Sequence, residues 1–354
     1  MINVLIVEDS SVVREFLIHV LSADPGIRVV ATAHDGEEAL EAVRRHRPDV
    51  ITMDIHMPKM DGLEATRRIM ETDPTPIVIV SGSTDPNETA MMFRAMEAGA
   101  LAVLMRPNGI GHPHYEATAK ELVQTVKLMS EVKVVRRWPR ARQHDAPVPR
   151  PVQTGLARAP ARVRIVAIGA STGGPPALQT ILAALPKDFP VPLLIVQHIT
   201  AGFVRGFVEW LAQSATLPVH VATHGELVLP GHVYIAPDEC QMKVERGGKI
   251  ALTKDAPENG LRPSVSYLFR SVAQVYGCDA VAGLLTGMGR DGAEELRVLK
   301  EKGAVTFAQD KDSSVVHGMP GEAIRLDAAM LVLPPEKIAA VLTSLANHRS
   351  KNGA

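Results

Sequence analysis

A serine set among small residues, Gly169-Ala170-Ser171-Thr172-Gly173-Gly174, follows the apolar run Arg164–Ala170 and precedes a stretch with helical periodicity. A strand-to-helix turn of that composition exposes a hydroxyl and lets a substrate approach the backbone. Pro175 and Pro176 fit the first turn of the helix, where missing amide donors cost little, and the amides and dipole of that helix favour negative charge beside Ser171. His198 ends the next apolar run, Pro192–His198, and Asp291 lies in the turn Met288-Gly289-Arg290-Asp291-Gly292 after the run Ala280–Gly287. Serine, histidine and aspartate at the carboxyl ends of parallel strands permit acyl transfer: Ser171 attacks, His198 takes its proton, and Asp291 orients the imidazole. The order Ser…His…Asp differs from the Ser…Asp…His of the α/β-hydrolase fold. A phosphate-binding glycine loop is the competing reading. The dinucleotide fingerprint, however, has glycine where Ser171 stands, and the P-loop Gly-Lys pair is absent.

A second set is acidic. Glu8 and Asp9 end the first apolar run and Asp54 ends the third, Val50–Ile55, so neighbouring strands would bring three carboxylates to one sheet edge. Their mutual repulsion calls for a cation, and an oxygen-only set with open positions suits Mg²⁺. Asp54 is then placed to accept a phosphoryl group as a carboxylate nucleophile, with Ser81, at the end of the fourth run, to hydrogen-bond it. His112 and His114 in a glycine-rich loop read as solvated rather than as ligands. Met91, Met92 and Met96 on one helical pattern read as core.

The elements that must hold these residues follow from periodicity. Strands are predicted at Asn3–Val7, Val29–His34, Val50–Ile55, Pro76–Gly82 and Ala100–Pro107. Helical patterns separate them, the first formed by Val12, Val13, Phe16, Leu17, Val20 and Leu21 and capped by Ser10 or Ser11. Five β/α units predict a doubly wound five-strand parallel sheet over residues 1–132. The alternation resumes over residues 165–354 with Arg164–Ala170, Ala177–Leu185, Pro192–His198 and Ala201–Gln213. Later come Val233–Ala236, a hairpin about Gly247-Gly248, a helix near Ser264–Val275 and the strand Ala280–Gly287. That predicts a second, mainly parallel α/β domain with an added hairpin.

The net charge of −1 hides an asymmetry: residues 1–132 carry 12 basic and 20 acidic side chains, whereas residues 133–164 carry 9 basic and 1 acidic. With five prolines and little apolar periodicity, 133–164 reads as a basic, extended linker. Trp138 is its only aromatic and neither flanking domain is basic, so nucleic acid is not the expected partner and a DNA-binding regulator is the poorer reading. No apolar run is long enough to span a bilayer and no basic leader opens the chain, which predicts a cytoplasmic protein without membrane insertion. Cys240 and Cys278 lack paired spacing and are expected to be reduced thiols.

The strings Leu5-Ile6-Val7-Glu8-Asp9-Ser10 and Asp54-Ile55-His56-Met57-Pro58-Lys59-Met60-Asp61-Gly62, with Ser81 after an apolar strand, resemble the receiver domain of response regulators. The resemblance implies Asp54 as phospho-acceptor, Glu8 and Asp9 as Mg²⁺ ligands with it, and Ser81 as the switch hydroxyl. Receivers carry lysine before the proline after the fifth strand, where this chain has Arg106-Pro107, a planar fork in place of a compact ammonium.

The whole arrangement resembles the chemotaxis-type protein-glutamate methylesterase/protein-glutamine glutaminase family. The resemblance is carried by Ile168–Gly174, Val196-Gln197-His198, Leu229–Pro237, Arg262-Pro263-Ser264-Val265, Leu285–Gly292 and Gly318-Met319-Pro320. It implies Ser171, His198 and Asp291 as a triad, the Met288 amide as an oxyanion donor and Thr172 as a supporting residue. It also implies methylated glutamate or glutamine on the cytoplasmic helices of chemoreceptors as substrate, a chemotaxis histidine kinase as partner, and no cofactor for the hydrolase. A non-catalytic receptor-binding adaptor is the rival, and retention of all three triad residue types speaks against it.

Overall fold

The computed structural model describes residues 1–82, 86–132, 134 and 163–347, so most of the basic stretch 133–164 lies outside the described residues. The chain forms two compact units.

The first unit runs β1 (Ile2–Val7), α1 (Ser11–Ser22), β2 (Ile27–Ala33), α2 (Gly36–His46), β3 (Val50–Met53), α3 (Gly62–Thr72), β4 (Ile77–Ser81), α4 (Pro86–Ala98), β5 (Ala102–Met105) and α5 (Tyr115–Ser130). Its five strands pair in parallel, as predicted, and their order is β2-β1-β3-β4-β5. Covered on both faces, β3 and β4 are buried at every residue, which explains their continuous apolar runs. Ser10 caps α1, and the helix buries Leu17, Val20 and Leu21. Val12 belongs to the same apolar pattern yet is 78% exposed, because it lies off that buried face. Met92 and Met96 are core residues.

The second unit runs β6 (Ile165–Ala170), α6 (Gly174–Ala184), β7 (Leu193–Gln197), α7 (Val204–Ala212), β8 (Val219–Val221), β9 (Val233–Ile235), β10 (Gln241–Glu245), β11 (Lys249–Thr253) and α8 (Val265–Val275). After these come β12 (Ala280–Leu284), α9 (Ala293–Glu301), β13 (Val305–Gln309), α10 (Met319–Arg325), β14 (Leu331–Leu333) and α11 (Pro335–Asn347). Seven parallel strands order as β14-β13-β12-β6-β7-β9-β8, and β10 and β11 form the separate antiparallel hairpin. From β6 the chain builds outward through β7 on one side. It later returns to lay β12 on the other, so the carboxyl end of β6 is the switch point where open α/β sheets leave a crevice. The hairpin packs through Met242, Val244 and Ile250 into the same core as Leu268, Phe269 and Val272 of α8, which seats the start of α8 over that crevice.

Candidate active site

All six residues of β6 are buried, and the strand delivers Ser171 one residue beyond its end. The Ser171 N–H donates to the Thr286 carbonyl at 3.0 Å, and its own carbonyl accepts from Gly174 N–H at 2.8 Å, closing the turn into α6. Gly173 caps that helix at φ 77°, a left-handed conformation that other residues rarely adopt. Pro175 and Pro176 lie in the first turn, as predicted.

The β6–β7 register pairs Ala170 with Gln197, so Ser171 and His198 leave adjacent strands at matched positions, about 5 Å apart. His198 N–H donates to the Ala170 carbonyl at 2.9 Å. Its ring Nε2 lies 2.9 Å from Asp291 Oδ2, the two side chains being 11% and 3% exposed. An ionised carboxylate only accepts, so Nε2 carries a proton toward Asp291, and in the neutral imidazole the lone pair is then on Nδ1. Among the described residues no hydrogen bond joins the Ser171 hydroxyl to that ring. Such bonds are commonly long before substrate binds.

Asp291 is anchored from α8. Its Oδ1 accepts from Ser264 Oγ at 2.9 Å and from Ser266 N–H at 3.1 Å, and its Oδ2 accepts from Val265 N–H at 2.7 Å. The Val265 and Ser266 N–H groups are orphan amides of a helix N-terminus, where an anion is favoured. Burial pushes the Asp291 carboxyl up, but the bonds from His198, Ser266 and Val265 outweigh it and hold the group at about 2. The negative charge that orients the imidazole is thus secured far below neutrality.

Beyond β12, Thr286 joins the pieces. Its hydroxyl donates to the Thr172 carbonyl at 2.9 Å and accepts from Val316 N–H at 2.9 Å, while its own N–H donates to Gln309 Oε1 at 2.8 Å. Met288 follows two residues later and is 48% exposed, and among the described residues nothing accepts from its N–H. The structure therefore gathers Ser171, Thr172, His198, Met288 and Asp291 at one sheet edge. Sequence reasoning missed Gln197, Ser264, Ser266, Thr286 and Gln309 as parts of this edge. The available signal was polar residues at the ends of otherwise apolar strands and at a helix start.

In the first unit, ligand oxygens of Glu8, Asp9 and Asp54 converge within 4.8 Å of one another. β3 stops at Met53, so Asp54 is the first residue beyond the strand, tied back by its N–H to the Val7 carbonyl at 2.9 Å. Arg14 Nη1 donates to the Glu8 carbonyl at 2.8 Å and holds the acidic loop in place. Burial, then the charge of Asp54, raises Glu8 to about 7; burial and the charge of Asp9 likewise raise Asp54. Carboxyls that resist ionising together fit a hard cation. Arg106 is close enough for its charge to oppose both rises, and its N–H donates to the carbonyl of buried Ser81 at 2.7 Å. His112 and His114 sit on an exposed loop, outside any converging group of three ligand residues among those described.

An acidic aspartate site on a receiver-type sheet, joined in one chain to a Ser, His and Asp set on a second parallel sheet, defines a receiver-linked serine hydrolase. Residues 166–342 match the CheB methylesterase family and residues 4–112 the response regulator receiver domain. The protein-glutamate methylesterase/protein-glutamine glutaminase of Nitrosospira multiformis is 70% identical over 99% of both chains. One from Geobacter metallireducens is 60% identical over 98% of this chain and 99% of its own. The CheB methylesterase catalytic domain of Thermotoga maritima superposes with a TM-score of 0.50 at 39% identity, covering 52% of this chain and 98% of that domain. The chain belongs to the CheB methylesterase family.

Proposed function

We propose that this protein is a phosphorylation-regulated hydrolase that removes methyl esters from glutamate side chains, and deamidates glutamine, on the cytoplasmic segments of methyl-accepting chemoreceptors. Identity of 70% over nearly the full length to a protein-glutamate methylesterase/protein-glutamine glutaminase supports the activity. The observation that carries the mechanism is the His198 ring held to Asp291 beside the Ser171 turn. His198 Nδ1 accepts the hydroxyl proton as Ser171 Oγ attacks the glutamyl carbonyl. The oxyanion is met by the Met288 amide, with Thr172 supporting the turn. His198 returns the proton to the departing methoxide or amide, releasing methanol or ammonia. A water, deprotonated by the same Nδ1, then frees the glutamate carboxylate from Ser171.

The receiver comprises residues 1–132 and the hydrolase residues 165–354, with 133–164 as a tether. Asp54 accepts a phosphoryl group from a chemotaxis histidine kinase, and Ser81 and Arg106 bind its oxygens. Glu8, Asp9 and Asp54 are the residues that would hold Mg²⁺, whose charge offsets that of the transferring phosphoryl group. Among the described residues no helix is long and apolar enough to cross a membrane, and the protein works in the cytoplasm, where those receptor segments lie.

The test is to incubate the full chain with receptor membranes carrying labelled methyl esters, with and without a small phosphodonor. Volatile methanol that increases with the donor is expected. Absence of methanol while a fluorophosphonate still labels Ser171 would move the substrate elsewhere.

A further inference from the structure

Gln197 is the last residue of β7 and is 2% exposed. Its Nε2 donates to the Ser171 carbonyl at 2.9 Å and to the His198 carbonyl at 2.8 Å. Two carbonyl oxygens facing one atom determine which end of the amide carries nitrogen. Its Oε1 is buried without a hydrogen-bond partner and lies against Gly174, where a Cβ would stand 2.2 Å from it. The start of α6 offers it no donor: Gly174 N–H is already bonded to the Ser171 carbonyl, and Pro175 and Pro176 have none. A buried amide with an unsatisfied oxygen costs stability. An apolar residue of similar length would pack there without that cost.

We infer that Gln197 is a positioning residue for the hydrolytic reaction, tying the main chain of the nucleophile to that of the base. The inference rests on the reading of Ser171 and His198 in those roles. The last bond between the two strands is His198 N–H to the Ala170 carbonyl. Past that point Ser171 turns into α6 and His198 enters a loop, and the Gln197 amide bridges them. Asp291 fixes only the far side of the imidazole, because its other contacts come from α8. The spacing between Ser171 Oγ and the ring is therefore set through Gln197, and proton transfer is steeply sensitive to such spacing.

The test uses Gln197→Met and Gln197→Glu in the full chain. Methionine keeps the length without donors, and glutamate keeps the shape but, held protonated by burial, has a single O–H to offer where the amide donates to both carbonyls. For either variant kcat of ester hydrolysis is expected to fall roughly 10- to 100-fold with KM nearly unchanged. Fluorophosphonate labelling of Ser171 should slow in parallel. The low-field proton resonance of the His198–Asp291 bond should persist, since α8 still holds Asp291. A kcat within about twofold of the natural protein would overturn the inference, and so would loss of that resonance together with activity, which would make Gln197 a general support of the fold. If Gln197→Met does not fold, Gln197→Glu decides by the same criteria. If the natural protein releases no methanol, the substrate assignment fails, whereas the Ser171 labelling rate still tests the tie.

Discussion

Asp291 Oδ2 accepts two bonds at once, from the His198 ring at 2.9 Å and from the Val265 N–H at 2.7 Å. One oxygen thereby couples the orientation of the base to the first turn of α8. Because the carboxyl is held at about 2, below its ordinary 3.8, folding stabilises its charged form. A carboxyl lowered on folding contributes stability that is complete above its unfolded value and lost as pH falls through the folded one. The window here runs from about pH 4 down to about pH 2.

Asp291→Asn turns an N–H₂ group toward either the His198 side or the α8 amides, and both of those are donors. The expected outcome at neutral pH is a loss of stability on the order of 2 kcal/mol and a fall in kcat of roughly 10³- to 10⁴-fold. Acid unfolding of the second unit, followed by circular dichroism, should be steeper between pH 4 and 2 in the natural protein than in the variant. Equal steepness would mean that the carboxylate is not held as described.

Ser171→Ala removes the oxygen proposed to attack, from a turn whose geometry is set by main-chain bonds to Thr286 and Gly174. Methanol release should fall by roughly 10⁴-fold or more while the thermal midpoint of the second unit stays within a few degrees. Near-normal turnover in a folded variant would remove the nucleophile assignment.

The first sheet and β6, β7, β9 and β12 of the second were legible because buried parallel strands read as short β-branched runs, such as Ile77–Ser81 and Leu193–Gln197. Ser171, His198 and Asp291 were legible because each follows such a run. What joins them was not. Ser264 reaches Asp291 across 27 residues of chain and Thr286 reaches Thr172 across 114, and neither contact leaves a local periodic trace. Two of the elements after residue 287 were hidden for a different reason. α10 has seven residues and β14 three, with burial at Leu331–Leu333 only partial, so neither completes a recognisable repeat. Val12 misled in the opposite sense, an apolar residue within the helical pattern that faces solvent.

Asp54→Asn is nearly isosteric and keeps the Ile55 N–H bond to the side-chain oxygen, 2.8 Å in the natural chain. Mg²⁺-dependent labelling of the receiver by a small phosphodonor should vanish, and with it the donor-dependent rise in methanol release, while the basal rate remains. Label that persists on the receiver would place the acceptor elsewhere. Omitting Mg²⁺ from the natural protein should abolish labelling in the same way if the converging Glu8, Asp9 and Asp54 oxygens hold it as proposed.

The last prediction concerns Arg106 and Gly82. The guanidinium lies across the Gly82 backbone so closely that a Cβ there would stand 2.4 Å from Nη2 and 2.8 Å from Cζ. Gly82 is not needed for a left-handed turn, since its φ lies outside the left-handed region, so what it supplies is space. Gly82→Ala should displace the flexible end of Arg106 rather than unfold the sheet, drawing the charge away from Asp54 and slowing phosphodonor labelling roughly 10-fold. A lysine is slimmer at this point, so in an Arg106→Lys background the same alanine should cost less than twofold. Labelling rates for the natural chain, the two single variants and the double variant complete the cycle. If alanine at position 82 costs as much with lysine at 106 as with arginine, the two residues are independent and the coupling is refuted.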